Sequence, residues 1–513
     1  MTAAQRASGP PRAAAFDLAR PGWVLDLLFV LSIWNLDFMR GWREMIFASA
    51  ADQYWMPLPQ RVDYIALVIL VLGGAALSFL VLRAIRRHAS RFENILFLVF
   101  TGAISLGIGD FLRQFVGGKN TLYLAAGLAP VILALLLWQR SRTLLARAVY
   151  IAGLVMVPFA VSNLLQAAWH IAAASPPAAA GGGGQTAEAG EPATGSTAGG
   201  ERPRVLWLLF DELDERALFG ALRGGYDFET FDQFRAQSVH YTRATGAGGL
   251  TVVALPSLWL GTRVTAGESV DADTLMVTLD GAAAAVPLDD LDHLFGAARD
   301  AGIHTALVGY YHPYCRIFAG DYDSCETYYY LADPRIAESR NLGEALAAQI
   351  SVFDPLWYRR IKIEEFRRSV AAAAATAADP RFDLVAVHAG FPHSPWVFDA
   401  KRKQLSLFKA NYLDNIAAAD RYLALVRQAM QESGVWDRTA VIITADHGNR
   451  DWKGDDVHTI GAVPFLLKLP HQRQGRDIDC DFDVIVLRRL IEGLLRGEVP
   501  GDRSLEGCLR SPS

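Results

Sequence analysis

The apolar residues of the chain are concentrated before about residue 175, where five hydrophobic segments follow one another. Each is close to the roughly 20 residues that cross a bilayer as a helix. The segments are Trp23–Met39, Tyr64–Leu82, Ile95–Leu112, Leu122–Trp138 and Ala148–Trp169. The first is the weakest because it contains Asp26 and Asp37, and Pro158 in the fifth is tolerated in a membrane helix. The pattern predicts an N-terminal α-helical membrane bundle of about five spans over residues 1–174.

Arginines are concentrated in alternate loops of this region, which indicates its orientation. They occur before the first segment, between the second and third, and between the fourth and fifth. By the positive-inside rule these loops are cytoplasmic, although Arg40, Arg43 and Arg61 blur the first outside loop. We therefore expect a multi-pass protein of a bacterial-type inner (cytoplasmic) membrane. Everything after residue 175 would then lie on the periplasmic, extracytoplasmic side.

A stretch of Ala, Gly, Pro and Thr follows the membrane part. Residues 175–202 contain almost no bulky apolar side chain, so we expect a flexible linker. Four cysteines, Cys315, Cys325, Cys480 and Cys508, all lie beyond it. Their closeness in sequence favours Cys315–Cys325 and Cys480–Cys508 disulfides in an oxidising compartment, with free buried cysteines as the alternative.

Strand-like and helix-like runs alternate over residues 203–513. This alternation predicts an α/β domain with a mostly parallel sheet sandwiched by helices. The predicted strands are Val205–Phe210, Thr305–Gly309, Leu384–Val387, Ala440–Ile443 and Val463–Leu467. The predicted helices are Leu288–Ala301, with Gly302 as its C-cap, and Leu405–Met430.

Acidic residues and a histidine follow two of these strands directly. Asp211 and Glu212 follow the first, and Asp446 and His447 follow the strand that ends at Ile443. The carboxyl ends of parallel strands form the edge where α/β sheets bind ligands. A carboxylate beside an imidazole suits a Zn²⁺-like cation, whereas a polar turn or helix cap is the alternative for each pair taken alone.

Further candidate residues lie in loops of the same region. A glycine-rich loop, Gly246–Leu250, precedes Thr251, whose hydroxyl would be a nucleophile if activated and otherwise an N-cap. His388 and His393 lie in a proline-containing stretch after the third strand, and His458 lies in an acidic loop. The net charge of −5 gives no indication of nucleic-acid binding.

At these residues the chain resembles the alkaline phosphatase superfamily. Within it, the chain looks like the membrane-anchored phosphoethanolamine, phosphoglycerol and lipoteichoic-acid transferases and like sulfatase-domain proteins. Residues 205–212 resemble the first strand with its acidic metal ligand, and residues 251–257 resemble the nucleophile segment. Residues 444–448 resemble the Ser/Thr-x-Asp-His-Gly ligand motif, which is the most specific of the three.

The resemblance implies a role for each candidate. Thr251 would be the nucleophile, and a divalent ion (Zn, Mn, Mg or Ca) would be held by Asp211, Glu212, Thr251, Asp446 and His447. His388, His393 and His458 would contact substrate or a second metal.

The implied activity is transfer of a phosphoryl-linked head group to an envelope acceptor. Lipids or glycans of the envelope would be the substrates, and nucleic acid would not be a partner. Sulfatases of this superfamily convert a Cys or Ser within Cys-x-Pro-x-Arg to formylglycine, and Thr251 lies in no such pattern. The alternatives are a hydrolase of phosphate or sulfate esters and a catalytically silent envelope scaffold.

Overall fold

The computed structural model describes residues 22–88, 102, 147–173, 185–186, 202–330, 339, 341–351, 354, 356–408, 410–450 and 461–498. The predicted fourth span, nearly all of the third, His458 and Cys508 lie outside these residues. Two compact units divide the described chain. The first contains residues 22–47, 59–88, 147–173 and 341–351, and the second contains residues 48–58 and the other residues from 185 onwards.

Helices occur in both units. In chain order, the α-helices in the described part are α1 (Trp23–Asp37), α2 (Met39–Trp42), α3 (Ala50–Gln53), α4 (Arg61–His88), α5 (Val157–Ala173), α6 (Glu215–Leu218), α7 (Glu229–Arg235), α8 (Thr251–Leu260), α9 (Leu294–Asp300), α10 (Tyr314–Ile317), α11 (Leu342–Ile350), α12 (Trp357–Ala378), α13 (Tyr412–Glu432) and α14 (Leu487–Leu495).

The strands all belong to the second unit. They are β1 (Gln185–Thr186), β2 (Arg204–Phe210), β3 (Val239–Thr245), β4 (Val264–Ser269), β5 (Leu275–Leu279), β6 (Val286–Pro287), β7 (Thr305–Tyr310), β8 (Ser324–Tyr328), β9 (Leu384–Ala389), β10 (Phe398–Asp399), β11 (Gln404–Leu405), β12 (Thr439–Ala445), β13 (Leu466–Lys468) and β14 (Arg476–Asp483).

The first unit contains the apolar helices. Helix α4 and the stretch Arg147–Ala173 are long and apolar enough to cross a membrane, so two helices, rather than five, meet this criterion among the described residues. They contain the predicted second and fifth spans, whereas α1 is a 15-residue helix. Two polar contacts lie inside the unit: Arg86 donates to Asp26, and Asn163 donates to Asn35 at 3.0 Å.

A mixed sheet forms the centre of the second unit. Its strand order within the described residues is β1-β8-β7-β9-β2-β12-β13-β3-β14. Neighbouring strands from β8 to β12 are parallel, whereas β13 is antiparallel to both β12 and β3. All five predicted strands are present, and the one predicted from Val463 begins at Leu466.

Helices cover both faces of the sheet, as predicted. Alternate residues of a strand point to opposite faces. The Phe210 ring of β2 lies 6.0 Å from the Tyr422 ring of α13. Its neighbour Leu209 instead lines a small cavity with Leu255 and Trp259 of α8. Because β2 is buried along its whole length, it holds the next residue, Asp211, in a fixed position at the edge of the sheet.

Two helices begin later than the apolar pattern predicts. The helix predicted from Leu288 corresponds to α9, which begins at Leu294. It begins there because the His293 side chain accepts a hydrogen bond from the Gly296 N–H and caps the helix. The helix predicted from Leu405 corresponds to α13, which begins at Tyr412. Its start is later because Leu405 pairs in β11 and because Asn411 forms a capping box with Asp414. A capping box satisfies backbone N–H groups that the first turn of a helix leaves unpaired.

Candidate active site

Four of the predicted residues meet at the carboxyl edge of the sheet. Asp211 directly follows β2, and Asp446 and His447 directly follow the adjacent parallel strand β12. Thr251 is the first residue of α8, which follows β3. All four side chains are nearly or completely buried. The sheet topology therefore brings together residues that are up to 236 positions apart.

Asp211, Asp446 and His447 form a compact group of potential metal ligands. One ligand atom from each lies within 4.8 Å of the others. Asp446 Oδ1 accepts hydrogen bonds from the backbone N–H groups of Glu212 (3.1 Å) and His447 (2.8 Å). Asp446 Oδ2 and Asp211 Oδ1 are buried and have no hydrogen-bond partner among the described residues. Two unpaired carboxylate oxygens at this edge are what a cation would satisfy.

The hydrogen bonds of His447 assign its protons. Its Nδ1 lies 2.9 Å from the Gly448 carbonyl oxygen, which can only accept, so Nδ1 carries the hydrogen. In the neutral ring the lone pair is then on Nε2, which lies 3.3 Å from Asp446 Oδ2. Two lone pairs facing each other repel unless a positive charge lies nearby. A histidine whose other ring nitrogen donates to a carbonyl is typical of metal ligands.

The carboxylates differ in their electrostatic surroundings. Burial raises the pKa of Asp211 well above its ordinary value, and the nearby charges of Asp446 and Glu212 add to this effect. Burial also opposes ionisation of Asp446, but His447 and His388 outweigh it and lower the pKa of Asp446. Asp211 is therefore buried beside other carboxylates, and the donor set of two carboxylates and one imidazole fits a divalent cation.

The Thr251 hydroxyl lies against this group. Its Oγ1 is 3.2 Å from His447 Nε2, and the residue is 3% exposed. The N-cap of α8 is Leu250 rather than Thr251, and no side chain caps the helix. The hydroxyl thus lies in the first turn of a helix, where backbone N–H groups and the helix dipole favour an anion.

The Glu212 carboxylate is bonded to an arginine and lies outside the compact group of potential metal ligands described above. Its Oε1 accepts a hydrogen bond from Arg450 Nε at 3.1 Å. Glu212 adopts a left-handed backbone conformation with φ of 68°, which is uncommon for a residue with a side chain. Tyr412 donates to the Glu212 carbonyl oxygen at 2.6 Å and holds this turn. The structure therefore gives Glu212 the position of a partner of Arg450.

His393 and His388 occupy different environments. His393 Nδ1 donates to the Ser394 carbonyl at 2.8 Å, and Arg450 Nη2 lies 3.4 Å from its Nε2. Burial is the main reason that the pKa of His393 is lowered to about 4, so the ring is neutral at pH 7. His388 lies within β9 instead of the loop after it, and the Tyr314 hydroxyl is hydrogen-bonded to its Nδ1 at 3.1 Å. Its Nε2 has no hydrogen-bond partner among the described residues.

Three further residues near the site were not predicted. Arg450 directly follows the Asp-His-Gly-Asn motif, so position alone could have indicated it. His312 lies two residues beyond β7, and the rule that found the other candidates would have found it too. Lys362 lies within α12, donates to the Gly390 carbonyl at 2.5 Å and pairs with Glu365 at 2.6 Å. No local sequence signal distinguishes it from the other charges of that helix.

The geometry agrees with the comparison to protein families. A family model described as Sulfatase matches residues 203–472, more than half of the chain. No curated protein matches the chain.

Solved structures with a similar fold have low sequence identity. A protein of the alkaline phosphatase superfamily from Vibrio parahaemolyticus is 16% identical, with a TM-score of 0.40 over 58% of this chain and 67% of that one. The PsFucS1 sulfatase from Pseudoalteromonas sp. is 14% identical, with a TM-score of 0.40 over 58% and 69%. The phosphonate monoester hydrolase of Agrobacterium radiobacter is 15% identical, with a TM-score of 0.38 over 60% and 78%. Similarity at this level carries no argument about activity.

Proposed function

Because the chain belongs to the sulfatase family of the alkaline phosphatase superfamily, we propose that it is a metal-dependent, membrane-anchored transferase with Thr251 as nucleophile. The group transferred would be a phosphoryl-linked head group of the phosphoethanolamine or phosphoglycerol type, and the acceptor a component of the cell envelope. The observation that carries the proposal is the position of the Thr251 hydroxyl, 3.2 Å from His447 Nε2.

Asp211, Asp446 and His447 would hold the divalent cation, with the Thr251 oxygen beside it. A divalent cation supplies positive charge that stabilises an alkoxide and the oxygens of a phosphoryl group. The buried, unpaired oxygens of Asp211 and Asp446 support this assignment. Glu212 would act through Arg450, to which its carboxylate is bonded.

In the first step, the Thr251 oxygen attacks phosphorus in line with the departing alcohol. The Thr251 hydroxyl gives up its proton as the new P–O bond forms. The P–O bond to the alcohol breaks, its electron pair stays on the alcohol oxygen, and the alcohol takes up a proton in place of the one released. Arg450 and the neutral His393 would bind equatorial phosphoryl oxygens, as such groups do in other phosphoryl transfers. An acceptor hydroxyl then attacks phosphorus, and the Thr251 hydroxyl is restored. His388 and His458 remain candidates for further substrate contacts.

Membrane attachment supports transfer over hydrolysis. Tethering raises the local concentration of a lipid donor or acceptor relative to a freely diffusing enzyme. The arginine pattern favours a multi-pass inner-membrane protein with about five spans and a periplasmic catalytic domain. The Cys315–Cys325 disulfide supports an oxidising compartment for that domain. Hydrolysis of phosphate or sulfate esters is the second candidate, because water can replace the acceptor, but Thr251 cannot become formylglycine.

The test is peptide mass spectrometry on the full-length protein after incubation with a lipid extract of its host. We expect a phosphoethanolamine or phosphoglycerol adduct on the Thr251 peptide, none in Thr251→Ala, and unchanged metal content in that variant. Thr242→Ala is the control, because it removes a different threonine hydroxyl, one that donates to Asp479 at 3.0 Å instead of contacting the proposed ligands.

Each other outcome has a distinct meaning. A bare phosphate on Thr251 would favour the hydrolase. No adduct with metal bound would favour direct hydrolysis without a Thr251 intermediate. No adduct and no bound metal would favour the silent scaffold, and retained turnover by Thr251→Ala would refute the role of the nucleophile.

A further inference from the structure

A segment from the N-terminal half of the chain forms part of the second unit. Residues 48–58 lie in sequence between two stretches of the first unit, yet they pack with the domain that carries the active site. The segment begins with α3, whose Ser49 and Asp52 form a capping box. Tyr54, directly after this helix, is completely buried.

Hydrogen bonds fix the segment in place. Arg316 Nη2 donates to the carbonyl oxygens of Gln53 (3.0 Å) and Tyr54 (2.8 Å). The Trp55 indole N–H donates to Ser269 Oγ at 3.0 Å. Because main-chain carbonyls and a partly buried indole are held together, the position of the Tyr54 side chain is determined by the domain rather than by its own rotamer freedom.

The Tyr54 hydroxyl is bonded to a histidine of the active-site edge. Its oxygen lies 2.7 Å from His312 Nδ1, and both residues are 0% exposed. The Trp55 ring packs on the same imidazole, with centroids 5.7 Å apart. One ring nitrogen of His312 is therefore occupied by a residue that precedes the whole catalytic domain in sequence.

The His312 ring also contacts the helix that begins with the proposed nucleophile. The His312 ring packs on Trp259 of α8, the helix that Thr251 begins, with centroids 5.2 Å apart. Burial lowers the pKa of His312 to about 3, and the Thr251 main chain and Asp446 are near enough to oppose that shift. No described residue makes a well-formed hydrogen bond with His312 Nε2. Buried polar atoms of this kind usually have a partner, so this nitrogen is available to an oxygen of a bound ligand.

We propose that Tyr54 is a positioning residue of the active site, which orients His312 so that its Nε2 hydrogen-bonds an oxygen of the phosphoryl group on Thr251. This inference rests on the proposed function. Tyr54 and His312 neither gain nor lose a covalent bond in this role. The catalytic site is then incomplete in a chain that lacks residues 48–58, even though every proposed ligand and the nucleophile lie beyond residue 203.

The test compares the full-length protein with Tyr54→Phe in detergent, using bis(4-nitrophenyl) phosphate as substrate and orthovanadate as inhibitor. The control is Tyr422→Phe, which removes another buried phenol hydroxyl, one that donates to the Ser369 carbonyl at 2.9 Å. We expect Tyr54→Phe to lower kcat and to weaken vanadate inhibition, each by about tenfold, the usual value of a hydrogen bond to a charged group. KM should change little, because the contact strengthens in the transition state.

Vanadate inhibition distinguishes positioning from folding. A variant that folds incompletely loses kcat, but its remaining active molecules keep the inhibition constant of the wild type. A Tyr54→Phe variant with wild-type vanadate inhibition would therefore overturn the proposal. So would an additional loss when Tyr54→Phe is combined with His312→Ala, since a residue that acts through His312 has no effect once the imidazole is gone.

Failure of the proposed function gives a different pattern. If Thr251→Ala retains wild-type turnover, both proposals fall. If turnover depends on Thr251 but Tyr54→Phe behaves like Tyr422→Phe, the role of Tyr54 alone is wrong.

Discussion

Gly246 lies where any side chain would press on the proposed metal ligands. A β-carbon at this position would be 2.9 Å from the Asp446 carbonyl oxygen and 3.5 Å from His447 Cα. It would also lie 3.4 Å from Val463 Cγ1. The first of these contacts is with main chain, which cannot rotate away as a flexible side chain can. Gly246→Ala should therefore displace either its own loop or the turn that holds Asp446 and His447.

The magnitude follows from this contact. Overpacking a close-packed site costs about 1–3 kcal/mol of unfolding free energy, and we expect Gly246→Ala to fall in this range. Metal–ligand distances tolerate deviations of only about 0.2 Å, so relief of the contact by the turn should also weaken metal binding. By analogy with other disturbances behind metal ligands, the loss of affinity should be roughly 10- to 100-fold.

Gly225→Ala is the matched control. A β-carbon there meets nothing within 4 Å, so the same substitution should change stability by no more than about 0.5 kcal/mol. The assay is urea unfolding of the full-length variants with metal and after chelation, together with metal content at limiting concentration. Equal stability and equal metal content for the two alanine variants would refute the close approach. A loss that is identical with and without metal would show instead that the clash is relieved away from the ligands.

Three further variants test the disulfide and the proposed metal ligands. Replacing Cys315 and Cys325 together by Ser should lower the unfolding free energy by about 3 kcal/mol, as loop-closure entropy predicts for a separation of 10 residues. A reductant should destabilise the wild type equally and leave the variant unchanged in denaturant unfolding; an insensitive wild type would contradict this. Asp211→Asn should reduce bound metal measured by elemental analysis, whereas Glu212→Gln should keep it because the Glu212 carboxylate is bonded to Arg450. Metal loss in Glu212→Gln would make Glu212 a ligand.

The sequence was most informative where one physical cause dominates. Strands buried on both faces are continuous apolar runs, so β2 and β12 were predicted within two residues at either end. Polar residues directly after such strands must lie at the same edge of the sheet. Asp211, Asp446 and His447 were therefore predictable as neighbours without any knowledge of the intervening chain.

Predictions failed where local hydrogen bonds compete with an apolar pattern. The helix predicted from Leu405 begins at α13 because the Asn411 capping box is a stronger start signal than hydrophobic periodicity. His388 was expected in a loop because a polar residue usually ends a buried strand. In the structure it remains in β9, paired with Leu209 of β2, since Tyr314 satisfies its Nδ1 inside the core.

The contacts of residues 48–58 could not be predicted from the order of segments along the chain. The composition of this segment is that of a short loop between apolar segments, and nothing in it indicates a contact 258 residues away. Only the fold places Tyr54 against His312, because Arg316 of α10 binds the carbonyl of Tyr54. A boundary drawn at residue 203 by composition therefore separates a buried part of the active-site domain from the rest of it. An assay on a soluble fragment that begins there would measure a site without Tyr54, so the reaction has to be studied in the full chain.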